Sequence, residues 1–140
     1  MTGWGFASIS PGGNFLSYYQ DRHVHLVNLE TGEHRNLTES LSVPFADEDH
    51  DYPQPAPGYG YAGWLKDDQA VLVYDKYDIW AFNIDAGKPP YRLTDGNGRA
   101  RKVQYRVVRL DPDQEFFESG QKLILSAYHD VEKHSIRVTR

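Results

Sequence analysis

Cysteine is absent from this chain, so no disulfide framework staples it and no thiol chemistry is open to it. A basic surface is lacking as well: 15 Lys and Arg stand against 20 Asp and Glu, a formal net charge of −5. That balance excludes the clustered Lys and Arg of a nucleic-acid footprint and mainly favours solubility. No stretch approaches the roughly 18 consecutive apolar residues of a membrane span. The first twenty residues carry no basic start followed by an apolar run, so no export leader is expected among them.

What is present is an aromatic load of ten Tyr, six Phe and three Trp, with twelve Gly and eight Pro. Aromatic side chains suit pleated, half-buried surfaces, and Gly and Pro punctuate turns. With 39% hydrophobic and 25% charged residues over 140 positions, one packed all-β domain is expected rather than a disordered chain.

An internal repeat organises the chain. Ser10 to Tyr19 lies over Leu65 to Tyr74, and the same offset of 55 pairs Val24 with Ile79, Val27 with Phe82, Leu29 with Ile84 and Gly32 with Gly87. After one inserted residue, Leu37-Thr38 meets Leu93-Thr94. A degraded third copy sets Gln121–Ser126 over Gln69–Tyr74, with Ser135–Val138 as its next strand and Val103–Leu110 as a strand before it. Asp111-Pro112-Asp113 reads as the turn closing that strand. In the first unit the strands are expected at Gly5–Ile9, Asn14–Gln20, His23–Asn28 and His34–Leu37. In the second they fall at Gly60–Leu65, Ala70–Tyr74, Asp78–Ile84 and Tyr91–Leu93.

Val71-Leu72-Val73-Tyr74 and Leu123-Ile124-Leu125 are continuous apolar runs, where a sheet with one wet face would alternate. In Asp78–Ile84, Ile79 and Ala81 point one way while Trp80, Phe82 and Ile84 point the other. Small sheets apolar on both faces, repeated along the chain, describe propeller blades; a sandwich would alternate more cleanly. The expected fold is all-β, an incomplete β-propeller of about three blades, each a three- to four-stranded antiparallel sheet. The units cover about 4–38, 59–95 and 103–140, with an acidic inter-blade loop at 39–58. Closed propellers take about four to eight blades, so end faces near Phe15 and Val24, and near Leu123 and Leu125, are expected to be bare and to drive self-association.

Ser10-Pro11-Gly12-Gly13-Asn14-Phe15 through Tyr18, and Leu29-Glu30-Thr31-Gly32 through Leu37-Thr38, resemble the blade signature of TolB-like and prolyl-oligopeptidase-family (S9-type) propellers. Tyr74-Asp75-Lys76-Tyr77-Asp78-Ile79-Trp80 and Leu93-Thr94-Asp95-Gly96 are similar to the same elements one blade later. With the insert Asp51 to Trp64, the chain looks most like the non-catalytic domain of exported peptidases of that family. The resemblance implies a periplasmic or secreted location. It also implies a role in gating substrate and scaffolding, with the rest of a parent chain as partner. Gly13 departs from the signature, and the third unit lacks its turn. No Ser stands between glycines at the nucleophile-elbow spacing, so no catalytic residue carries over and the chain is not expected to be an enzyme itself. The alternative is a free-standing protein-interaction module.

Asp47, Asp49 and Asp51 alternate as a calcium loop begins, but Tyr52 and Gly58 stand where that loop needs Gly and Glu. They read as a solvated acidic loop, with carboxylates facing a substrate's amino end as the functional alternative and a bound cation as a third. His23 and His25 share one face of a strand, as in some metal sites, but no third ligand is recognisable and His25 takes the repeat place of Trp80, so they read as packing or rim histidines. His129, Asp130, Glu132 and His134 read as a charged turn. Trp4, Trp64 and Trp80 fit either a stacking platform or inter-blade core. No metal and no cofactor is expected.

Overall fold

The computed structural model describes residues 7–20, 22–45, 58–85, 87–108, 116–118, 124–129 and 135–139. Among them the chain is nearly all β, in three antiparallel sheets. The first contains β1 (Ala7–Ile9), β2 (Phe15–Gln20), β3 (His23–Asn28) and β4 (His34–Asn36), ordered as they occur in sequence. Its turns have local causes. Gly13, at φ +77°, donates its N–H to the Ser10 carbonyl at 2.9 Å between β1 and β2. The Asn28 side-chain oxygen accepts the N–H groups of Glu30 and Thr31 between β3 and β4.

The second sheet contains β5 (Tyr61–Trp64), β6 (Ala70–Tyr74), β7 (Ile79–Asn83) and β8 (Tyr91–Arg92), again in sequence order. A 3-10 turn, Lys66–Asp68, joins β5 to β6 and holds Asp67 and Asp68 at φ +59° and +56°. Aspartate tolerates that left-handed region better than most residues, and Asp68 occupies the repeat position of Gly13. A five-residue helix, α1 (Asn97–Arg101), then leads to a three-stranded sheet of β9 (Val103–Val107), β10 (Ile124–His129) and β11 (Ser135–Thr139). The expected strand starting at Val103 is therefore shorter than Leu110, and α1 was not expected. The turn Asp111–Asp113 lies outside the described residues.

The sheets stack in series through one recurring interface. Val24 and Leu26 of sheet 1 pack on Trp64, Val71, Val73, Trp80 and Phe82 of sheet 2. On the opposite face of sheet 2, Leu72, Ile79 and Ala81 pack with Leu125 of sheet 3. The repeat maps the first contact onto the second: Val24 and Leu26 correspond to Ile79 and Ala81, and Val73 corresponds to Leu125. Sheet 2 is thus covered on both faces, with Ile79 and Ala81 on one and Trp80 and Phe82 on the other. Burying each large side chain contributes roughly 1.5–3 kcal/mol. Phe45 wedges into the first interface, its ring edge-on to Trp80 and Phe82 at 5.7 Å. Polar ties lock the same interface: Trp64 Nε1–H donates to Ser8 Oγ at 2.8 Å, and an Arg35 N–H donates to the Ile84 carbonyl at 2.7 Å.

The bare face of sheet 1 is the one opposite to that expected. Val24 is 2% exposed and Phe15 packs beside it, because alternation groups residues by face without saying which face has a neighbour. Leu125, 1% exposed, is core as well, and Leu123 lies outside the described residues. The open side of sheet 1 carries Ile9, Leu16 and Val27 in one cross-strand row. Beside it Tyr18 stacks on His25 at 5.0 Å. Ile9 and Leu29 are 62% and 48% exposed. By the offset of 55, Ile9, Leu16, Tyr18, His25, Val27 and Leu29 take the places of Trp64, Val71, Val73, Trp80, Phe82 and Ile84, all of which lie against sheet 1.

Candidate functional site

The β1–β2 and β5–β6 turns share one end of the stack. The Ser10 hydroxyl and the Gly12 N–H both donate to the Asp68 carboxylate, at 2.8 and 2.9 Å. The β2–β3 and β6–β7 turns and the exits of β4 and β8 therefore share the other end. His129 joins them there through its pairing with Val103, the first residue after the α1 region.

At this end Asp75 and Asp78 are wholly buried, each at 0% exposure. One Asp75 oxygen accepts the N–H groups of Tyr77 and Asp78, both at 2.7 Å, and the other accepts Trp80 Nε1–H at 2.7 Å. Asp78 accepts the Thr94 hydroxyl at 2.6 Å and the N–H groups of Gly98 and Arg99 at 2.8 and 3.1 Å. Arg99 lies 3.7 Å from Asp75. Arg106 donates to the carbonyls of Asp75 and Lys76, at 3.2 and 3.3 Å, and lies 4.3 Å from the Tyr74 ring centre. Burial pulls the Arg106 guanidinium below its ordinary pKa, and Tyr74 and Asp75 push it back up. Carboxylates so enclosed and so fully engaged by donors act as clamps. They fasten the β6–β7 turn and α1 to sheet 2 and offer a substrate nothing.

The same clamp recurs in sheet 1 in weaker form. Thr94 Oγ1 donates to Asp78 while accepting the Ile79 N–H. Thr38 Oγ1 lies 2.8 Å from His23 Nδ1 and accepts the Val24 N–H at 3.1 Å. His23 stands at the repeat position of Asp78. A Thr38 proton given to Nδ1, as Thr94 gives its proton to Asp78, leaves the His23 proton on Nε2.

Unlike Asp78, His23 borders an open pocket of about 270 Å³ between the β2–β3 turn and the loop after β4. Arg22, His23, Thr38 and Ser42 supply its polar wall; Leu41, Val43 and Phe45 supply its apolar one. Arg22 holds φ +71°, in a region that costs a non-glycine residue about 1–2 kcal/mol.

His23 thus lies at the pocket, while His25 lies on the bare face of sheet 1 with Nε2 3.1 Å from the Gln20 carbonyl. No group of three His, Asp or Glu placed to hold a metal occurs among the described residues. Trp64 and Trp80, 2% and 7% exposed, are inter-sheet core and not a stacking platform. Asp47, Asp49 and Asp51 lie outside the described residues, as do Trp4, Asp130, Glu132 and His134. Sequence reasoning missed Arg22, Ser42, Asp75, Asp78, Arg99 and Arg106 as members of either cluster. The pairing of Thr38 with Thr94 in the repeat was the available signal for the two clamps. No helix among the described residues is long and apolar enough to cross a membrane. Compared with known protein families, curated proteins and solved structures, the chain matches none.

Proposed function

We propose that this chain is a non-catalytic β-propeller segment of an S9-type, prolyl-oligopeptidase-like serine peptidase, gating substrate access and scaffolding a catalytic domain carried elsewhere in a longer protein. One observation carries the propeller part. The bare face of sheet 1 corresponds position by position to the face of sheet 2 that a preceding sheet covers. Its apolar residues, Ile9, Leu16, Val27 and Leu29, suit a further blade presenting the face that Val24 and Leu26 present here. Sheets stacked by one repeated interface, leaving an end face of this kind, are what a propeller segment requires. The peptidase part rests on the blade-signature residues, with the nucleophile elbow of such a peptidase expected outside these 140 residues.

Two measurements on the native protein test the proposal. An antibody to this chain should detect a polypeptide several times longer than 140 residues, and a fluorophosphonate probe for activated serines should label that same species. An unlabelled species of 140 residues overturns the proposal and favours the free-standing interaction module.

A further inference from the structure

The geometry points to the pocket between Arg22 and Phe45 as a binding site for a small carboxylate that bears an apolar substituent, such as the last residue of an acylated peptide. The inference goes beyond the propeller reading and does not depend on it.

Three observations converge. The first is charge: the chain has more acidic than basic residues, yet among the described residues no carboxylate lines this pocket. Its polar wall includes Arg22, His23 and Ser42, which bring a guanidinium, an imidazole and a hydroxyl, while the Thr38 hydroxyl is already engaged by His23 and Val24. A guanidinium presents a planar fork of N–H donors that matches a carboxylate in two-point contact. With His23 Nδ1 accepting the Thr38 proton, its Nε2–H is a further donor.

The second is shape. At about 270 Å³ the space lies just under the roughly 300–1,000 Å³ of small-molecule sites, so it suits one side chain with its carboxylate. Leu41, Val43 and Phe45 give that side chain an apolar floor, and Phe45 is itself anchored in the inter-sheet core.

The third is conformational. Gln20 pairs with His23, so Arg22 belongs to a two-residue hairpin turn, where positive φ favours Gly or Asn. An arginine held at φ +71° forgoes that preference. Strain of this kind clusters at functional sites, and here it falls on a residue that lines the pocket.

The test uses the isotope-labelled chain and amide and imidazole NMR spectra. Titration with N-acetyl-leucine should shift Arg22, His23 and Ser42 saturably, with half-saturation in roughly the millimolar range. N-acetyl-leucinamide, the same molecule without the negative charge, should bind at least about tenfold more weakly. Arg22→Gly keeps the turn, since glycine takes positive φ freely, and should weaken binding of the acid at least about tenfold while the spectrum elsewhere stays folded. Equal binding of acid and amide, unchanged binding by R22G, or no saturation at roughly tens of millimolar each overturns the inference.

Discussion

Sheets 1 and 2 are copies of one repeat, yet they meet different surroundings. Trp80 lies in the core at 7% exposure. His25, at the same repeat position, stacks on Tyr18 on a face that nothing described covers. At the end of the stack Asp78 is sealed by three donors, whereas His23 shares one threonine and borders an open pocket. The repeat therefore dictates which atoms pair within a sheet, while the neighbouring sheet decides how much each pairing is worth. It is also the neighbour that separates a structural clamp from a surface able to bind.

Substituting equivalent positions sharpens this contrast most. Trp80→Ala should destabilise the chain by about 3–5 kcal/mol, and His25→Ala by no more than about 1 kcal/mol, both read from urea unfolding. Comparable losses at the two positions break the comparison and place a covering layer on sheet 1.

Next in size is the clamp. Asp78→Ala orphans the Thr94 hydroxyl and the buried Gly98 N–H, and should cost about 2–3 kcal/mol. His23→Ala should cost about 1 kcal/mol. Hydrogen exchange at Gly98 and Arg99 should accelerate in the first variant alone.

Alkaline pH probes the interface that joins the two sheets. Burial raises the Tyr61 phenol from 10.0 to about 12, against the opposing hydrogen bond from Ser17. The neutral form is thus favoured in the fold. The associated stability is whole below about pH 10 and drains away as pH climbs towards about 12, by about 2 kcal/mol. Tyr61→Phe should flatten that decline relative to the unsubstituted chain, and an unchanged slope refutes the assignment.

The smallest effect on stability belongs to the bare face. Ile9→Lys with Leu29→Lys should alter unfolding by no more than about 0.5 kcal/mol. Light scattering across a concentration series should nevertheless show self-association of the unsubstituted 140-residue chain that the double variant reduces. Identical scattering would mean that this face takes no part in association.

Much of the fold was legible because its signals are local. His23–Asn28 and Ala70–Tyr74 carry strand residues bounded by turns, and the structure forms strands over those spans. The period of two in Ile79–Ile84 assigned both faces of β7 correctly. Helix α1 was illegible: five residues containing Gly98 have no apolar period, and their order comes from a distant carboxylate. A Cβ on Gly98 would lie 2.7 Å from an Asp78 oxygen and 2.7 Å from the Val103 carbonyl, so only glycine allows that approach. The pocket was legible only as His23. Arg22 gave no sign, because its left-handed backbone and its proximity to Ser42 are products of the folded loop.

The tie between the Ser10 turn and Asp68 has a consequence in time. Its partners are 58 residues apart, so a ribosome adding about 5–20 residues per second separates their synthesis by roughly 3–12 s. Through that interval the hairpins of sheet 1 exist without the carboxylate that fastens their first turn, and without Trp64, Val71 and Trp80 to cover Val24 and Leu26. The nascent chain passes through a stage in which the Val24 and Leu26 face of its first sheet is wet. A holding chaperone would find its longest opportunity on this chain there, and that opportunity closes once β7 has emerged.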